Sequence, residues 1–129
     1  MIPLFTEKAP KPVGPYSQAL MAGGFLFLSG QIGIDPNTGK LREGFTDQVK
    51  QVFDNIEAIL QAGGAGKENI VRVVVYLKDI SLFKEFNALY EDFFRDVPVK
   101  PVRTTVEVSG LPLDALVEIE ITALVKEKT

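Results

Sequence analysis

Between Ile70 and Leu77 the chain runs IVRVVVYL, eight residues in which β-branched and apolar side chains follow one another with a single charge among them. A half-solvated strand alternates apolar with polar residues, so a short, nearly continuous apolar run predicts a central strand with both faces covered. The rest of the chain has to be arranged around it.

Upstream, Ser17 to Ala22 and Phe25 to Ser29 read as two strands joined by Gly23-Gly24, a hairpin signal. Asp35-Pro36-Asn37-Thr38-Gly39 is dense in turn formers and predicts a loop. From Thr46 onward, Val49, Val52, Phe53, Ile56, Ile59 and Leu60 recur at helical spacing, with Thr46 or Asp47 able to cap the start and Gly63-Gly64 suited to end it. A second helix begins after Asp79 or Ser81 and carries Phe83, Phe86, Tyr90, Phe93 and Phe94 along one stripe, before Pro98 and Pro101 punctuate the chain. Arg103 to Val108 and Val117 to Val125 alternate with a period of two, separated by the turn-like segment Ser109 to Leu116. The order β-β-α-β-α-β-β predicts one α+β domain over 1–129, a sheet with both helices on one face.

The two closing strands also predict which side chains face which way. In the first, Thr104, Val106 and Val108 share a face opposite Arg103, Thr105 and Glu107. In the second, Val117, Ile119, Ile121, Ala123 and Val125 lie opposite Glu118, Glu120 and Thr122. Two helices cover only the apolar face. The other meets water or another copy of the chain, and the interspersed Phe25, Phe27 and Leu124 favour another copy.

What chemistry remains is set by three zeros, since the 129 residues contain no His, no Cys and no Trp. Ser-His-Asp and Cys-His nucleophile activation, thiol chemistry and imidazole or thiolate zinc sites are excluded. Catalysis then falls to Arg, Lys, carboxylates, Tyr, Ser/Thr, Asn and backbone dipoles, which suit a substrate that is already reactive and needs mainly positioning. With 14 basic against 17 acidic residues the net charge is −3, which argues against a nucleic-acid partner. The N-terminus has prolines and charges where a signal peptide has an apolar core, and no apolar run approaches a membrane span. A cytoplasmic protein is expected.

Arg103 stands out as following Pro101 at the mouth of a strand, where a guanidinium could hold a substrate carboxylate by a bidentate pair. Strand logic alone favours a cross-strand ion pair with Glu118 or Glu120. Glu118 could position or deprotonate a water, or serve as that ion-pair partner or a solvated residue. Asn87 intrudes on the aromatic stripe and needs partners, either a substrate or a neighbouring strand's backbone. Gly14-Pro15-Tyr16 could bring a phenol to a pocket rim or form a turn with a packed Tyr. Ser29-Gly30-Gln31 could let backbone approach a ligand or a subunit, or be a turn or bulge.

Taken together these residues resemble the RidA/YjgF family, the reactive-intermediate imine/enamine deaminases. The resemblance runs through GPYSQA (Gly14 to Ala19), FLFLSGQI (Phe25 to Ile32), QVFDNIEAIL (Gln51 to Leu60), VYLKD (Val75 to Asp79), FNALYEDFF (Phe86 to Phe94), PVRTTVEVSGLP (Pro101 to Pro112) and VEIEITA (Val117 to Ala123). It implies a chorismate-mutase-like α+β fold, a mixed β-sheet with two helices on one face. It also implies a homotrimer around a central barrel-like core, with a pocket between each pair of subunits. The implied reaction is hydrolysis of 2-imino acids such as 2-iminobutanoate and 2-iminopropanoate to 2-keto acids and ammonia, without metal or organic cofactor. The imines would come from pyridoxal-phosphate-dependent dehydratases. Arg103 is then the carboxylate anchor and Glu118 the group associated with the attacking water. Tyr16 and Asn87 line the pocket, Ser29 and Gly30 border it, and backbone near Thr105 meets the nitrogen end. Many relatives have cysteine at the position of Thr105, so thiol reactivity is absent here. A small-molecule-binding regulatory protein using the same pocket, and an endoribonuclease or translation inhibitor, are the alternatives.

Overall fold

The computed structural model describes residues 1–125, so the last four residues of the expected 1–129 domain lie outside the described residues. The strands are β1 (Ile2–Leu4), β2 (Ala19–Ala22), β3 (Phe25–Gln31), β4 (Ile34–Asp35), β5 (Lys40–Leu41), β6 (Ile70–Leu77), β7 (Val102–Glu107) and β8 (Val117–Leu124), and the helices are α1 (Phe45–Ala62) and α2 (Phe83–Phe93). Six strands form one mixed sheet in the order β1-β2-β3-β8-β6-β7, in which only β6 and β7 run parallel. The short β4-β5 ribbon wraps the turn-rich Asp35–Gly39 segment. Strands this short carry no usable period, and β1, β4 and β5 are additions to the predicted order.

Both helices lie against one face. From α1, Val49, Val52, Phe53, Ile56, Ile59 and Leu60 are buried against Leu26 and Leu28 of β3, Val73, Val75 and Leu77 of β6, and Ile119, Ile121 and Ala123 of β8. Each large aliphatic side chain so buried contributes roughly 1.5–3 kcal/mol. Phe53 stacks on Phe93 with centroids 4.1 Å apart, joining the helices through the predicted aromatic stripe. The predicted caps hold in part. Gly64 adopts φ 75° after α1 ends, but the start is Gly44 at φ 85°, while Thr46 Oγ1 donates to Glu85 Oε2 on α2. Asp79 accepts from Ser81 N and opens a short 3-10 turn that leads into α2.

One face of α1 is polar and buried. Asn55, fully buried, donates to the carbonyls of Ile32 (3.4 Å) and Ile34 (3.0 Å) and accepts from Gln51 Nε2 (2.9 Å). Gln48 donates to the Arg42 carbonyl and accepts from Leu116 N at 2.9 Å. These amides fix the loop leaving β3, just past Gly30, and Leu116, two residues before Glu118.

The expectation for the central strand needs correction. β6 sits between β8 and β7, and Val73, Val75 and Leu77 are buried beneath the helices, but on the second face Arg72 is exposed and Tyr76 is half-buried. No layer of the described chain covers that face, which also bears Phe25, Phe27, Glu118, Glu120 and Leu124.

Candidate active site

The sequence-predicted residues fall into two groups on opposite faces of the sheet. Tyr16, Ser29, Gly30 and Glu118 line an open-face cavity of about 930 Å³, with Lys11, Leu113 and Glu120 among its other walls. Its local geometry begins at Gln18. That side chain, 2% exposed, donates to the carbonyls of Thr6, Ala9 and Pro10 and accepts from Thr6 N, so the N-terminal segment is held across β2 and β3 as a cavity wall. Ser29 Oγ is spent on the Ser17 carbonyl at 2.6 Å, and Tyr16 Oη accepts from Val13 N at 3.3 Å.

Gly30 lies in the irregular register between Leu28 and Gln31 of β3, where pairing with β8 slips. A Cβ built on it would stand 2.9 Å from Glu118 Cδ and closer still to Glu118 Oε2. A side chain at this position would have to push the Glu118 carboxylate aside, so glycine is what lets the carboxylate lie against the β3 backbone. Burial pushes the Glu118 carboxyl above the usual glutamate range, and the neighbouring Glu120 charge pushes it further.

The second group surrounds a cavity of about 480 Å³ lined by Asn87, Tyr90, Lys100 and Arg103 among others. Arg103 Nη1 donates to Asn87 Oδ1 at 2.7 Å, and the guanidinium carbon lies 4.7 Å from the Tyr90 ring centroid and 5.4 Å from that of Phe83. Cation-π contact and one hydrogen bond hold its plane. Lys100 Nζ donates to the carbonyls of Phe94 (2.7 Å) and Val97 (2.6 Å), which ties down the chain leading from α2 into β7. The hydroxyls of Tyr90 and Thr105 are buried without a hydrogen-bond partner among the described residues. Burial raises the Tyr90 phenol above its usual range, against the opposing pull of Arg103.

Two expectations are corrected by this arrangement. The strand next to β7 is β6, not β8, so the cross-strand pair of Arg103 with Glu118 or Glu120 does not form. Among the described residues the ion pairs are Arg42–Asp35 and Arg95–Asp92. The alternation in β7 is as predicted, but its polarity is reversed: Arg103 and Thr105 turn toward α2, while Val102, Thr104 and Val106 face outward. An edge strand at the end of the helix layer can place an arginine over aromatic rings instead of an aliphatic residue in the core. Asn87 bonds a strand's side chain, not its backbone. Thr105 lines neither cavity.

Lys11, Leu113 and Glu120 were not singled out as site residues. Glu120 had a signal, since the period of two sets it beside Glu118. Lys11 had none. Leu113 and Asp114 both adopt φ 57°, an uncommon conformation for residues other than glycine, and only coordinates reveal it.

A six-stranded mixed sheet with two helices on one face places the chain in a class of small α+β proteins with solved members. TdcF of E. coli, solved with bound serine, superposes with a TM-score of 0.93 at 33% identity, over 98% of this chain and 100% of that one. A RutC family protein of Aquifex aeolicus is 62% identical over 92% of this chain and 95% of its own. The chloroplastic Reactive Intermediate Deaminase A of Arabidopsis thaliana is 44% identical over 92% of this chain and 63% of its own. The family described as Endoribonuclease L-PSP matches residues 6–125. The chain belongs to this family, the RidA/YjgF family of the resemblance.

Proposed function

We propose that the protein hydrolyses reactive 2-imino acids, with 2-iminobutanoate and 2-iminopropanoate as representative substrates, to 2-keto acids and ammonia. The observation that carries this reading is Arg103: a partly buried guanidinium, oriented by Asn87 and two aromatic rings, with no carboxylate partner among the described residues. Such a group is an anchor for a substrate carboxylate. Glu118, with its raised proton affinity, suits the other half of the reaction.

The two half-sites face away from each other within a chain, so one chain cannot close a site around one small molecule. A homotrimer in which the Arg103 edge of each subunit meets the Glu118 cavity of the next completes three equivalent sites. The uncovered sheet faces, with Phe25, Phe27 and Leu124, then turn inward as a barrel-like core. Tyr16, Ser29, Gly30 and Glu118 come from one subunit, and Arg103, Asn87 and Thr105 from its neighbour. The chain acts in this assembly as a single domain, in the cytoplasm and without metal or organic cofactor.

In the reaction Glu118 takes a proton from water as the oxygen bonds to the imine carbon, the C=N π pair moves to nitrogen, and Glu118 passes its proton to that nitrogen, which leaves a neutral carbinolamine and a free carboxylate. The hydroxyl proton of the resulting carbinolamine then passes through Glu118 to nitrogen, the C–N bond breaks toward nitrogen, and ammonia leaves a keto acid. The family description names a ribonuclease. The acidic composition and the lack of histidine favour the imine reaction. The test generates imino acids in place with an amino-acid oxidase or dehydratase and follows keto-acid release with and without the protein, alongside its mass by sedimentation equilibrium. Acceleration by a trimer is expected. A monomer, or binding of 2-keto acid without acceleration, overturns the reading in favour of another assembly or a regulatory binder.

A further inference from the structure

The open face carries a second carboxylate beside the one assigned to water. Glu118 and Glu120 are two residues apart on β8 and share a face. Tyr76 of β6 is the register partner of Glu118, yet its hydroxyl donates to Glu120 Oε1 at 3.0 Å, so the ring runs diagonally across the pair and ties Glu120 down. Nothing in the imine reaction as written uses either residue.

Among the groups around Glu118, Glu120 is the charge that acts on it. From β3 the facing residues are Phe27, Ser29 and Gly30, none of them charged. From β6 come Tyr76 and, further along the same face, Arg72 opposite Thr122. The N-terminal wall adds Lys11 and Tyr16, and the Pro112–Leu113 turn adds no charge of its own to the cavity, with Asp114 following it. Gly30, with no side chain, leaves the space beside the β3 backbone that the Glu118 carboxylate occupies. The rise in Glu118 proton affinity has burial as its larger cause and the Glu120 charge as its second.

We propose that Glu120, held on the Glu118 face of β8 by the Tyr76 hydroxyl, is a positioning residue that acts through Glu118 to aid the removal of a proton from water. A carboxylate of ordinary strength takes a proton from water poorly, and one with a higher proton affinity takes it more readily and still returns it to nitrogen. The inference rests on the reading of Glu118 as the water-activating group.

The experiment titrates Glu118 by carboxyl-carbon NMR in the intact assembly labelled at glutamate, and measures kcat/KM against pH, for the parent chain, Glu120→Gln, Glu120→Asp and Tyr76→Phe. Glu120→Gln should lower the Glu118 midpoint, and the acid limb of the rate profile with it, by about 0.5 to 1 pH unit. Tyr76→Phe should move both the same way by less, because the freed Glu120 swings into water. Glu120→Asp keeps the charge and should restore both. A structural role for the pair would alter stability or KM while leaving the midpoint in place, and an unmoved midpoint in Glu120→Gln overturns the proposal. A moved midpoint with an unmoved rate profile also overturns it, by removing Glu118 from the rate-limiting proton transfer. A parent chain that hydrolyses no imine defeats the deaminase reading instead, and the NMR titration still reports the coupling of Glu118 to Glu120.

Discussion

The two faces of the sheet are made by the same strands and obey opposite rules. Beneath α1 and α2 the buried side chains are aliphatic, Leu26 and Leu28 of β3, Val73, Val75 and Leu77 of β6, and Val117, Ile119, Ile121 and Ala123 of β8, and the polar ladder of α1 and Gln31 at the end of β3 interrupt that layer. On the other face the same strands present Phe27, Tyr76, Glu118, Glu120 and Thr122, a mixture that neither packs as a core nor dissolves as a surface. The first face is complete within one chain and secures the fold. The second is uncovered in the described chain, and beside it lie the close approach of the Glu118 carboxylate to Gly30 and the left-handed Leu113 and Asp114. Arg103 belongs to the helix side at the far edge of the sheet, so the two groups of candidate site residues lie on different surfaces of one chain, which the proposed assembly would bring together.

Subunit mixing is the most direct way to break that comparison. Arg103→Ala should lower kcat/KM roughly a hundredfold or more, the loss of about 2–4 kcal/mol of charge-assisted anchoring, and Glu118→Gln should retain keto-acid binding but turn over slowly. If each site draws Arg103 from one subunit and Glu118 from the next, equal amounts of the two variants, unfolded and refolded together, should regain about a quarter of the parental activity, since a random neighbour pair is productive one time in four. Activity that stays at the level of the separate variants would mean both groups act within one chain.

A smaller effect is expected from Gly30→Ala, which sharpens the comparison by disturbing the open face alone. The added methyl displaces the Glu118 carboxylate, and kcat should fall about tenfold through misplacement of the base, with melting temperature nearly unchanged. A normal kcat would show that the close approach of Glu118 to the β3 backbone has no bearing on turnover.

The smallest effect concerns stability. The Glu118 carboxyl binds its proton more tightly in the folded chain than in the unfolded one, so its contribution is fully present below the unfolded value and is lost as pH rises through the folded value. Glu118→Gln should therefore match the parent near pH 3 and exceed it at pH 7, by less than about 1 kcal/mol once solvent screening is allowed for. Chemical denaturation at both pH values measures it. A variant less stable than the parent at pH 7 would place Glu118 among the groups that hold the fold.

The helices and the long strands were legible because burial repeats: Val49 to Leu60 kept a helical period over three turns, and Val117 to Ala123 a strand period over seven residues. Arg103, Asn87 and Glu118 stood out as candidates from strand and helix position before the resemblance was drawn, while their relative placement was not legible. Alternation says that Arg103 and Thr104 oppose each other, but which of them faces the helices depends on the strand's place in the sheet. That place is set by a parallel pairing with β6 thirty residues earlier. The same pairing hid the absence of the expected ion pair. Lys11 enters the site only because Gln18 folds the N-terminal segment back, a contact across 12 residues for which a single glutamine gives no local signal.

The position of β8 has a consequence for how the molecule is made. It lies between β3 and β6, and it alone joins the hairpin half of the sheet to the β6-β7 half. A ribosome has therefore released more than a hundred residues before the strand that unites them exists. Until then Leu28 and Val75 have no strand between them, and both halves expose edges open to pairing with other chains. The sheet closes by insertion at its middle, not by growth at an edge, so folding waits for the late segment Val117–Leu124 and should be slow for a chain of this size.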